Sequence, residues 1–257
     1  MSMVKVSGLQ KSYHHSIAER LAGERECPVL KGIDLRIEQE DFIGIMGRSG
    51  CGKTTLLKII GTIEQPTKGK IYYGDADVRR LRAEELAALR RNRIGFVFQD
   101  FQLMDNLSVE ENMMLPMVLN QVKYRDMKAV VDRNAHLLEL SKLLKKYPYE
   151  LSGGEKQRAA IARAMSNNPD IILADEPTGN LDMSSARNIM DCFTRIHQES
   201  HKAVVMVTHD PFTASYCSKI CYLADGVIQG ICERNGEQSQ EDLYEQILAF
   251  FRAFSVS

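Results

Sequence analysis

A short stretch of the sequence has the glycines, the lysine and the hydroxyl of a phosphate-binding loop. Residues 47–54, GRSGCGKT, match the pattern G-x-x-x-x-G-K-[ST], with an apolar strand before them and a helix pattern after them. The glycines let successive backbone N–H groups surround phosphate oxygens, and the lysine and the hydroxyl can reach the terminal phosphates and Mg²⁺. We therefore predict that Lys53 contacts the β- and γ-phosphates of a nucleotide and that Thr54 binds Mg²⁺. The predicted nucleotide-binding residues of this loop are Gly47, Arg48, Ser49, Gly50, Cys51, Gly52, Lys53, Thr54 and Thr55.

The cysteine inside this loop is predicted to be reactive. Cys51 would lie among backbone N–H groups and close to Lys53. Positive surroundings favour the thiolate, which is the nucleophilic form of cysteine. We expect a lowered pKa for Cys51 and ready alkylation of its thiol, with protection by bound nucleotide.

Two apolar strands end in polar residues that suit phosphate chemistry. The run IILADE delivers Asp175 and Glu176, and VVMVTHD delivers Thr208 and His209. Ligands of open α/β sheets bind at the carboxyl ends of the strands, so these side chains and the phosphate-binding loop are expected at one edge. Asp175 could hold Mg²⁺, and Glu176 could act as a general base on an attacking water.

A second glycine pair indicates a second anion site. In LSGGEKQRAAIARA, residues 151–164, Gly153 and Gly154 stand directly before strong helix formers. A helix N-terminus exposes free backbone N–H groups and the positive end of the helix dipole, and both attract an anion. The sequence therefore predicts two phosphate sites in one chain.

These motifs occur in an order that resembles a known family. The phosphate-binding loop, Gln99 in FVFQD, LSGGEKQR, IILADEPTGNLD and VVMVTHD together look like the ATP-binding subunit of an ABC transporter. The resemblance runs from Val4 to about Ile231. GTIEQPTKGKIYY, ADEPTGNLD and THDPFTASYC further resemble the ATPases of lipoprotein-release, macrolide-export and antimicrobial-peptide-resistance systems. The last stretch favours the bacitracin-resistance type.

The resemblance implies roles for single residues. Gln99 would contact the metal and the attacking water and would link the site to the membrane subunit, while His209 would touch the γ-phosphate. Tyr13 would stack on adenine, although the charged insertion HHSIAERLAGERECP between Tyr13 and Val29 leaves open that it is an ordinary strand-end tyrosine. The implied catalytic residues are Lys53, Gln99, Glu176 and His209, and the implied metal ligands are Thr54, Gln99 and Asp175.

The resemblance also explains why one chain would need two phosphate sites. In the family, two chains pair head to tail, and the LSGGE segment of each closes over the ATP on the partner's phosphate-binding loop. By this resemblance Ser152, Gly153 and Gly154 would bind the partner's nucleotide, and Asp182 would lie at the same interface. The implied partners are a second copy of the chain and a separate membrane permease.

The elements that must position these residues are those of an α/β fold. FIGIMG, IGFVFQ, DIILADE and AVVMVTHD are short apolar runs typical of covered parallel strands, and periodic stretches between them predict helices, notably 53–60 and 183–200. With the resemblance, this predicts a P-loop NTPase core with a parallel sheet, an N-terminal antiparallel β region and an inserted helical subdomain at about 103–165. We expect an ATP-binding domain over residues 1–235.

Residues 236–257 are expected to form a C-terminal amphipathic helix. In SQEDLYEQILAFFRAF, Ser239 would cap the helix and one apolar stripe would contain Leu243, Ile247, Phe250 and Phe254. The polar face is acidic rather than basic, so docking on its own domain is favoured over binding a membrane surface.

Composition sets the remaining limits. The 257 residues carry a net charge of 33 − 34 = −1, so no overall positive field attracts nucleic acid. The six cysteines are irregularly spaced and predict a reducing compartment, with Cys217 and Cys221 as buried apolar residues rather than zinc ligands. There is no long apolar run. We expect a cytoplasmic protein, peripheral at the inner face of the cell membrane through a permease.

The sequence as a whole predicts an ATP-hydrolysing motor subunit of an ABC transporter that uses ATP and Mg²⁺. The alternative is a soluble ABC ATPase acting in DNA repair or on ribosomes, but tandem cassettes, coiled-coil arms and basic surfaces are not visible. A small-molecule P-loop kinase would lack LSGGE.

Overall fold

The computed structural model describes residues 3–13, 26–236 and 238–255. The charged insertion after Tyr13 therefore lies outside the described residues, and so does the side chain of Phe254. The strands in the described part are β1 (Val4–Tyr13), β2 (Cys27–Ile37), β3 (Phe42–Met46), β4 (Lys68–Tyr73), β5 (Ala76–Asp77), β6 (Ile94–Val97), β7 (Ile171–Asp175), β8 (Ala203–Thr208), β9 (Lys219–Ala224) and β10 (Val227–Glu233).

The helices lie between and after these strands along the chain. They are α1 (Lys53–Ile60), α2 (Ala83–Arg93), α3 (Val109–Val118), α4 (Tyr124–Leu137), α5 (Gly153–Met165), α6 (Met183–Ser200), α7 (Pro211–Ala214) and α8 (Gln240–Ser255). The predicted helices at 53–60 and 183–200 are confirmed to the residue as α1 and α6.

A six-stranded sheet forms the centre of the molecule, in the order β10-β9-β3-β8-β7-β6. Strand β3 pairs in parallel with β8 and β9, and β7 pairs in parallel with β6 and β8. Because these strands run the same way, their carboxyl ends lie at one edge. The residues that follow β3, β6, β7 and β8 therefore meet there, as the motif positions predicted.

Strand β3 illustrates why the central strands have continuous apolar sequences. All five of its residues are buried. Phe42 and Met46 belong to a core shared with α3 to α6 and α8, whereas Ile43 and Ile45 belong to a core shared with α1 and the second sheet. Helices or strands cover both faces, so alternation with polar residues would bury unpaired polar groups.

The second sheet is the antiparallel N-terminal region. Its order is β2-β1-β4-β5, and β1 pairs antiparallel with both β2 and β4. The buried residues of β1 and β2 pack toward α1 in the second core. The predicted α/β fold, with a parallel core, an antiparallel N-terminal region and an inserted set of helices, is confirmed.

The inserted helices α3, α4 and α5 pack on one another through an apolar interface, and a buried carboxylate beside it binds two lysines that are exposed to solvent. Glu110 is 5% exposed and accepts hydrogen bonds from Lys128 at 2.8 Å and from Lys145 at 2.6 Å. These bonds hold the pKa of Glu110 below its usual range. The carboxylate joins α3, α4 and the segment after α4 into one unit.

The C-terminal helix α8 packs on its own chain, as predicted. Leu243 and Ile247 are fully buried, and Phe250 and Phe251 pack edge-on against Tyr222 of β9. The Ser239 hydroxyl accepts a hydrogen bond from the Asp242 N–H at 3.1 Å and so caps the helix. Among the described residues, none of the helices has the length and apolar character needed to cross a membrane.

Candidate functional site

The loop after β3 is shaped by close packing around its glycines. A Cβ atom at Gly47 would lie 2.1 Å from the carbonyl oxygen of Leu223, so only glycine fits there. Gly52 has φ 103° and forms the left-handed N-cap of α1. The loop therefore turns sharply from strand into helix and leaves its N–H groups at the helix N-terminus, where an anion binds favourably.

Lys53 lies within this loop. Its side chain is buried, with the residue 6% exposed, and its Nζ donates to the carbonyl oxygens of Gly47 at 2.9 Å and Arg48 at 3.1 Å. The ammonium group is thus centred on the loop that is predicted to hold phosphates. Its location fits the predicted contact with the β- and γ-phosphates.

Two of the three predicted Mg²⁺ ligands, Thr54 and Asp175, are in direct contact. The Thr54 hydroxyl donates to Asp175 Oδ1 at 2.8 Å, although the two residues lie far apart in the chain. Burial raises the pKa of Asp175, and the hydrogen bond from Thr54 and the charges of Lys58 and Lys53 only partly counteract it. A positively charged group bound next to this carboxylate would favour its ionised form.

A hydroxyl and a carboxylate oxygen are ligands that Mg²⁺ prefers, so the residues present fit this ion. Within the part of the chain that the structure describes, no group of three or more His, Cys, Asp or Glu side chains could hold a metal.

Glu176 and His209 form a pair at the same edge. His209 Nδ1 lies 2.9 Å from Glu176 Oε2, and the histidine side chain is largely exposed. Glu176 has φ 44°, a left-handed conformation that is uncommon for a residue with a side chain. This backbone turn follows the end of β7 and directs the carboxylate toward the end of β8.

Gln99 lies beside Asn180, which was not predicted as a site residue. Its Nε2 donates to Asn180 Oδ1 at 3.4 Å, and Asn180 Nδ2 donates to the Gln99 carbonyl at 3.1 Å. Both residues line a cavity of about 450 Å³ together with Asp175 and Lys58. The position of Lys58, one helical turn after Thr54, is a sequence signal that could have identified it. Asn180 has no such signal except its place within TGNLD.

Tyr13 lies next to the phosphate-binding loop. It pairs across the sheet with Cys27, which lines a cavity of about 530 Å³ that residues 48–51 also line. Its hydroxyl lies near the side chains of Glu64 and Thr55, and burial together with Glu64 raises the pKa of Tyr13. This location fits an aromatic surface for a base, and that role stays a prediction.

The predicted lowering of the Cys51 pKa is wrong, whereas protection of the thiol by nucleotide stays a prediction. Burial raises the pKa of the Cys51 thiol, and the positive charge of Lys53 only partly offsets that effect. The half-buried thiol sits against Gly47. All six cysteines of the chain are free thiols, and Cys217 and Cys221 are fully buried, as expected.

The N-terminus of α5 is more fully capped than the glycine pattern predicted. The Ser152 hydroxyl accepts from the Glu155 N–H at 3.3 Å, and Glu155 Oε2 accepts from the Ser152 N–H at 2.8 Å. This capping box satisfies two backbone donors. The N–H groups of Gly153 and Gly154 are at the first two helical positions, where a helix provides no partner of its own.

The LSGGE segment packs on the start of α6 and not on the phosphate-binding loop of its own chain. A Cβ atom at Gly153 would contact Leu181 at 3.1 Å, and one at Gly154 would contact Ser185 at 3.3 Å. Asp182 caps α6 by accepting from the Ser185 N–H at 3.0 Å, which lowers the pKa of Asp182. The segment and Asp182 thus form one surface, and a nucleotide-binding role for either stays a prediction.

The fold and the site together identify the class of protein. A parallel sheet with a glycine-rich loop and a lysine after β3, a carboxylate pair after β7 and a histidine after β8 is the core of a P-loop NTPase. Residues 30–179 match the protein family described as ABC transporter, so the chain belongs to that family, whose ATP-binding subunits hydrolyse ATP.

Individual relatives agree with this assignment. The chain is 37% identical to the bacitracin export ATP-binding protein BceA of Halalkalibacterium halodurans over 96% of this chain and 95% of that protein. It is 39% identical to the macrolide export ATP-binding/permease protein MacB of Syntrophobacter fumaroxidans, over 89% of this chain but 31% of that longer protein. The predicted resemblance to this group is confirmed.

A solved structure gives the same result for the fold. It is a dimeric post-hydrolysis state of the ATP-binding cassette MJ0796, bound to ADP and Pi. MJ0796 is a protein of Methanocaldococcus jannaschii. The likeness has a TM-score of 0.81 with 37% identity and covers 91% of this chain and 100% of that one.

Proposed function

We propose that this chain is the motor subunit of an export or resistance system in which two copies bind Mg-ATP between them and drive a separate membrane permease. The observation that carries the proposal is the convergence of Lys53, the Thr54–Asp175 pair and the Glu176–His209 pair at one sheet edge. These groups supply phosphate binding, metal binding and proton transfer, the three functions that ATP hydrolysis needs.

Each residue pair then has a defined role. The phosphate-binding loop and Lys53 hold the β- and γ-phosphates, and Thr54 and Asp175 hold Mg²⁺, which when bound would neutralise phosphate charge. Glu176 accepts a proton from a water molecule whose oxygen attacks the γ-phosphorus, and the bond from that phosphorus to the bridging oxygen of ADP breaks. His209 holds the Glu176 carboxylate in place, and Gln99 orients the water.

The pairing of two copies is proposed from the position of the LSGGE segment. Its two free N–H groups belong to a helix that packs on α3, α4, α6 and β6, while α1 packs against β7 and β8. A second chain in head-to-tail orientation could bring this helix end to the opposite phosphate-binding loop. The dimeric MJ0796 cassette bound to ADP and Pi supports this arrangement.

The proposed permease contact lies on the inserted helices, which we propose as a subdomain over about 103–165 of a domain ending near 235. Apolar side chains are exposed there, with Met104 at 44%, Val118 at 53% and Leu119 at 64%. Methionine and leucine side chains suit a surface that receives a partner helix. The similarity to BceA supports a role in resistance to antimicrobial peptides at the inner face of the cell membrane.

Hydrolysis by the purified chain tests the enzymatic part of the proposal. We expect phosphate release from ATP that is lost with EDTA, and a loss of at least about 100-fold in the Glu176→Gln variant. Asp175→Asn should weaken the response to Mg²⁺ titration. Hydrolysis that persists in EDTA, or a fully active Glu176→Gln variant, would contradict the proposed roles.

The soluble alternative, an ABC ATPase acting on DNA or ribosomes, predicts different partners. Tagged protein isolated from detergent-solubilised membranes of the source cells should carry a multi-span permease in about equal amount. Recovery with ribosomes or nucleic acid and without a membrane protein would favour the alternative.

A further inference from the structure

The loop that carries Gln99 has an unusual backbone conformation. It runs from the end of β6 to the start of α3, and Phe101 and Gln102 are consecutive left-handed residues with φ 62° and 49°. Residues with side chains seldom adopt this conformation, and two in a row persist only where surrounding groups hold them.

Arg163 of α5 holds both residues. Its Nη2 donates to the Phe101 carbonyl at 3.1 Å, and its Nη1 donates to the Gln102 carbonyl. The planar guanidinium places its donors in a fixed geometry, so the two carbonyls are held relative to each other. Burial lowers the pKa of Arg163, but a guanidinium stays charged in proteins, and charge-assisted hydrogen bonds are strong.

Two further side chains hold the same loop at its ends. Gln157 of α5, which is fully buried, donates from Nε2 to the Phe98 carbonyl at 3.5 Å. Asn112 of α3 accepts from the Met104 N–H at 2.8 Å and donates to the Met104 carbonyl at 3.1 Å. The part of the loop next to Gln99 is thus attached to α5, and the far part is attached to α3.

Helix α5 has the LSGGE segment at its other end. Gly153 and Arg163 are separated by about 15 Å along the helix axis at 1.5 Å per residue. A continuous helix of this length moves as one body, so a displacement of its N-terminus displaces Arg163 and the loop that Arg163 holds.

We infer that Arg163 is a positioning residue that couples the N-terminus of α5 to Gln99 through the Phe101 and Gln102 carbonyls. Binding of the partner's nucleotide at Gly153 and Gly154 would then set the position of Gln99 in the chain's own site. This inference rests on the proposed function, because it needs Gln99 to act in hydrolysis.

A double-mutant cycle tests the coupling. In the full chain, Arg163→Gln should lower kcat by about tenfold or more and leave the Kd for a fluorescent ATP analogue unchanged, since the phosphate-binding loop is untouched. In a Gln99→Ala background the same substitution should change kcat by less than about twofold, because the residue through which Arg163 acts is gone. Arg163→Lys keeps the charge but not the planar fork, and its kcat should lie between those of the wild type and Arg163→Gln.

Arg195 provides the matched control. It is a partly buried arginine of α6 that donates to the Leu137 carbonyl at 3.3 Å, next to Glu139, which has φ 57°, and it also bonds the Glu139 carboxylate. Arg195→Gln should lower the melting temperature about as much as Arg163→Gln does but leave kcat unchanged. A simple loss of stability would affect kcat equally in both variants.

The outcomes are distinguishable. An equal effect of Arg163→Gln with and without Gln99, or a wild-type kcat in this variant, overturns the coupling role while leaving the proposed function intact. If Arg163→Gln does not fold, a wild-type kcat in Arg163→Lys overturns it instead. If Gln99→Ala alone leaves kcat unchanged, both the assignment of Gln99 and the inference fail.

Discussion

Lys53 shows how a single side chain is placed by the backbone around it. Its Nζ contacts two carbonyl oxygens of its own loop, and the phosphates it is proposed to bind would lie in the same loop. We expect Lys53→Ala to lower kcat by about 100-fold or more, because the charge that stabilises the transferring phosphoryl group is removed. The melting temperature should change little. Near-normal phosphate release in a folded variant would mean that the phosphate-binding loop is misassigned.

Cys51 gives a second prediction at the residue scale. Because burial raises the pKa of the thiol, its thiolate fraction near neutral pH is smaller than that of an exposed cysteine. Iodoacetamide at pH 7 should therefore modify Cys51 more slowly than a model cysteine peptide, with a rate that rises as the pH is increased toward the raised pKa. Saturating Mg-ATP should slow it further. Mass spectrometry of the peptide that contains Cys51 measures both rates.

The contrast between Lys53 and Cys51 shows which properties of a single residue the sequence can predict. The position of Lys53 follows from spacing within a few residues, which the motif records. The pKa of Cys51 depends on how deeply the thiol is buried against Gly47 and neighbouring strands. That burial is set by the tertiary fold, and the local pattern, which suggested a positive setting, does not contain it.

At the scale of helices and strands, the apolar pattern and the capping residues at helix ends decide which elements the sequence can predict. Strand β3 and helices α1 and α6 were evident because they have continuous or periodic apolar residues. Helix α2 was not predicted, since Leu89 is its one buried residue and its remaining sequence is strongly charged. The capping box at Ser152 was missed although serine and glutamate three residues apart are its known signature.

The buried carboxylate of Glu110 leads to a prediction about the inserted helices. Hydrogen bonds from Lys128 and Lys145 lower the pKa of Glu110. A lowered pKa means that the carboxylate stabilises the fold above its unfolded-state pKa of about 4.3 and that this stabilisation is lost as pH falls through the lower folded-state pKa. Glu110→Gln should therefore reduce the free energy of unfolding by about 1 kcal/mol at pH 7, a modest value because both lysines are partly exposed to solvent.

Urea unfolding at several pH values measures this effect. The difference between wild type and Glu110→Gln should shrink as the pH is lowered below about 4.3. Asp132→Asn is the matched control, since Asp132 contacts the same Lys128 at 3.3 Å but is largely exposed, and it should have little effect at any pH. A Glu110→Gln difference that is constant with pH would exclude ionisation of Glu110 as its cause.

At the scale of the whole molecule, the sequence predicted two phosphate sites but could not place them relative to each other. The LSGGE segment begins α5, which packs on α3, α4, α6 and β6, whereas α1 packs against β7 and β8. This packing follows from contacts between distant parts of the chain. The resemblance supplied the head-to-tail pairing that the single chain cannot show. An experiment on the proposed dimer of two chains therefore tests this pairing most directly.

Trapped ATP should hold two chains together if the proposed pairing is correct. Glu176→Gln keeps the size and hydrogen bonding of the side chain but cannot accept the proton, so ATP binds and persists. We expect this variant to shift from monomer to dimer in size-exclusion chromatography with ATP and not with ADP. Adding Ser152→Arg should abolish the dimer, since a bulky cation would block approach to the partner's loop, while ATP binding by the monomer is retained.

Ser239→Arg separates this effect from the loss of a helix cap. Ser239 caps α8 through the same type of hydrogen bond with the residue three positions later as Ser152 makes at α5. In the Glu176→Gln background, Ser239→Arg should therefore reduce the melting temperature as Ser152→Arg does, by the loss of about 1 kcal/mol of capping free energy, and still form the ATP-dependent dimer. A Ser152→Arg variant that dimerises as well as the control would show that the N-terminus of α5 does not face the partner's nucleotide. The LSGGE segment would then not be the phosphate clamp that closes over the partner's ATP.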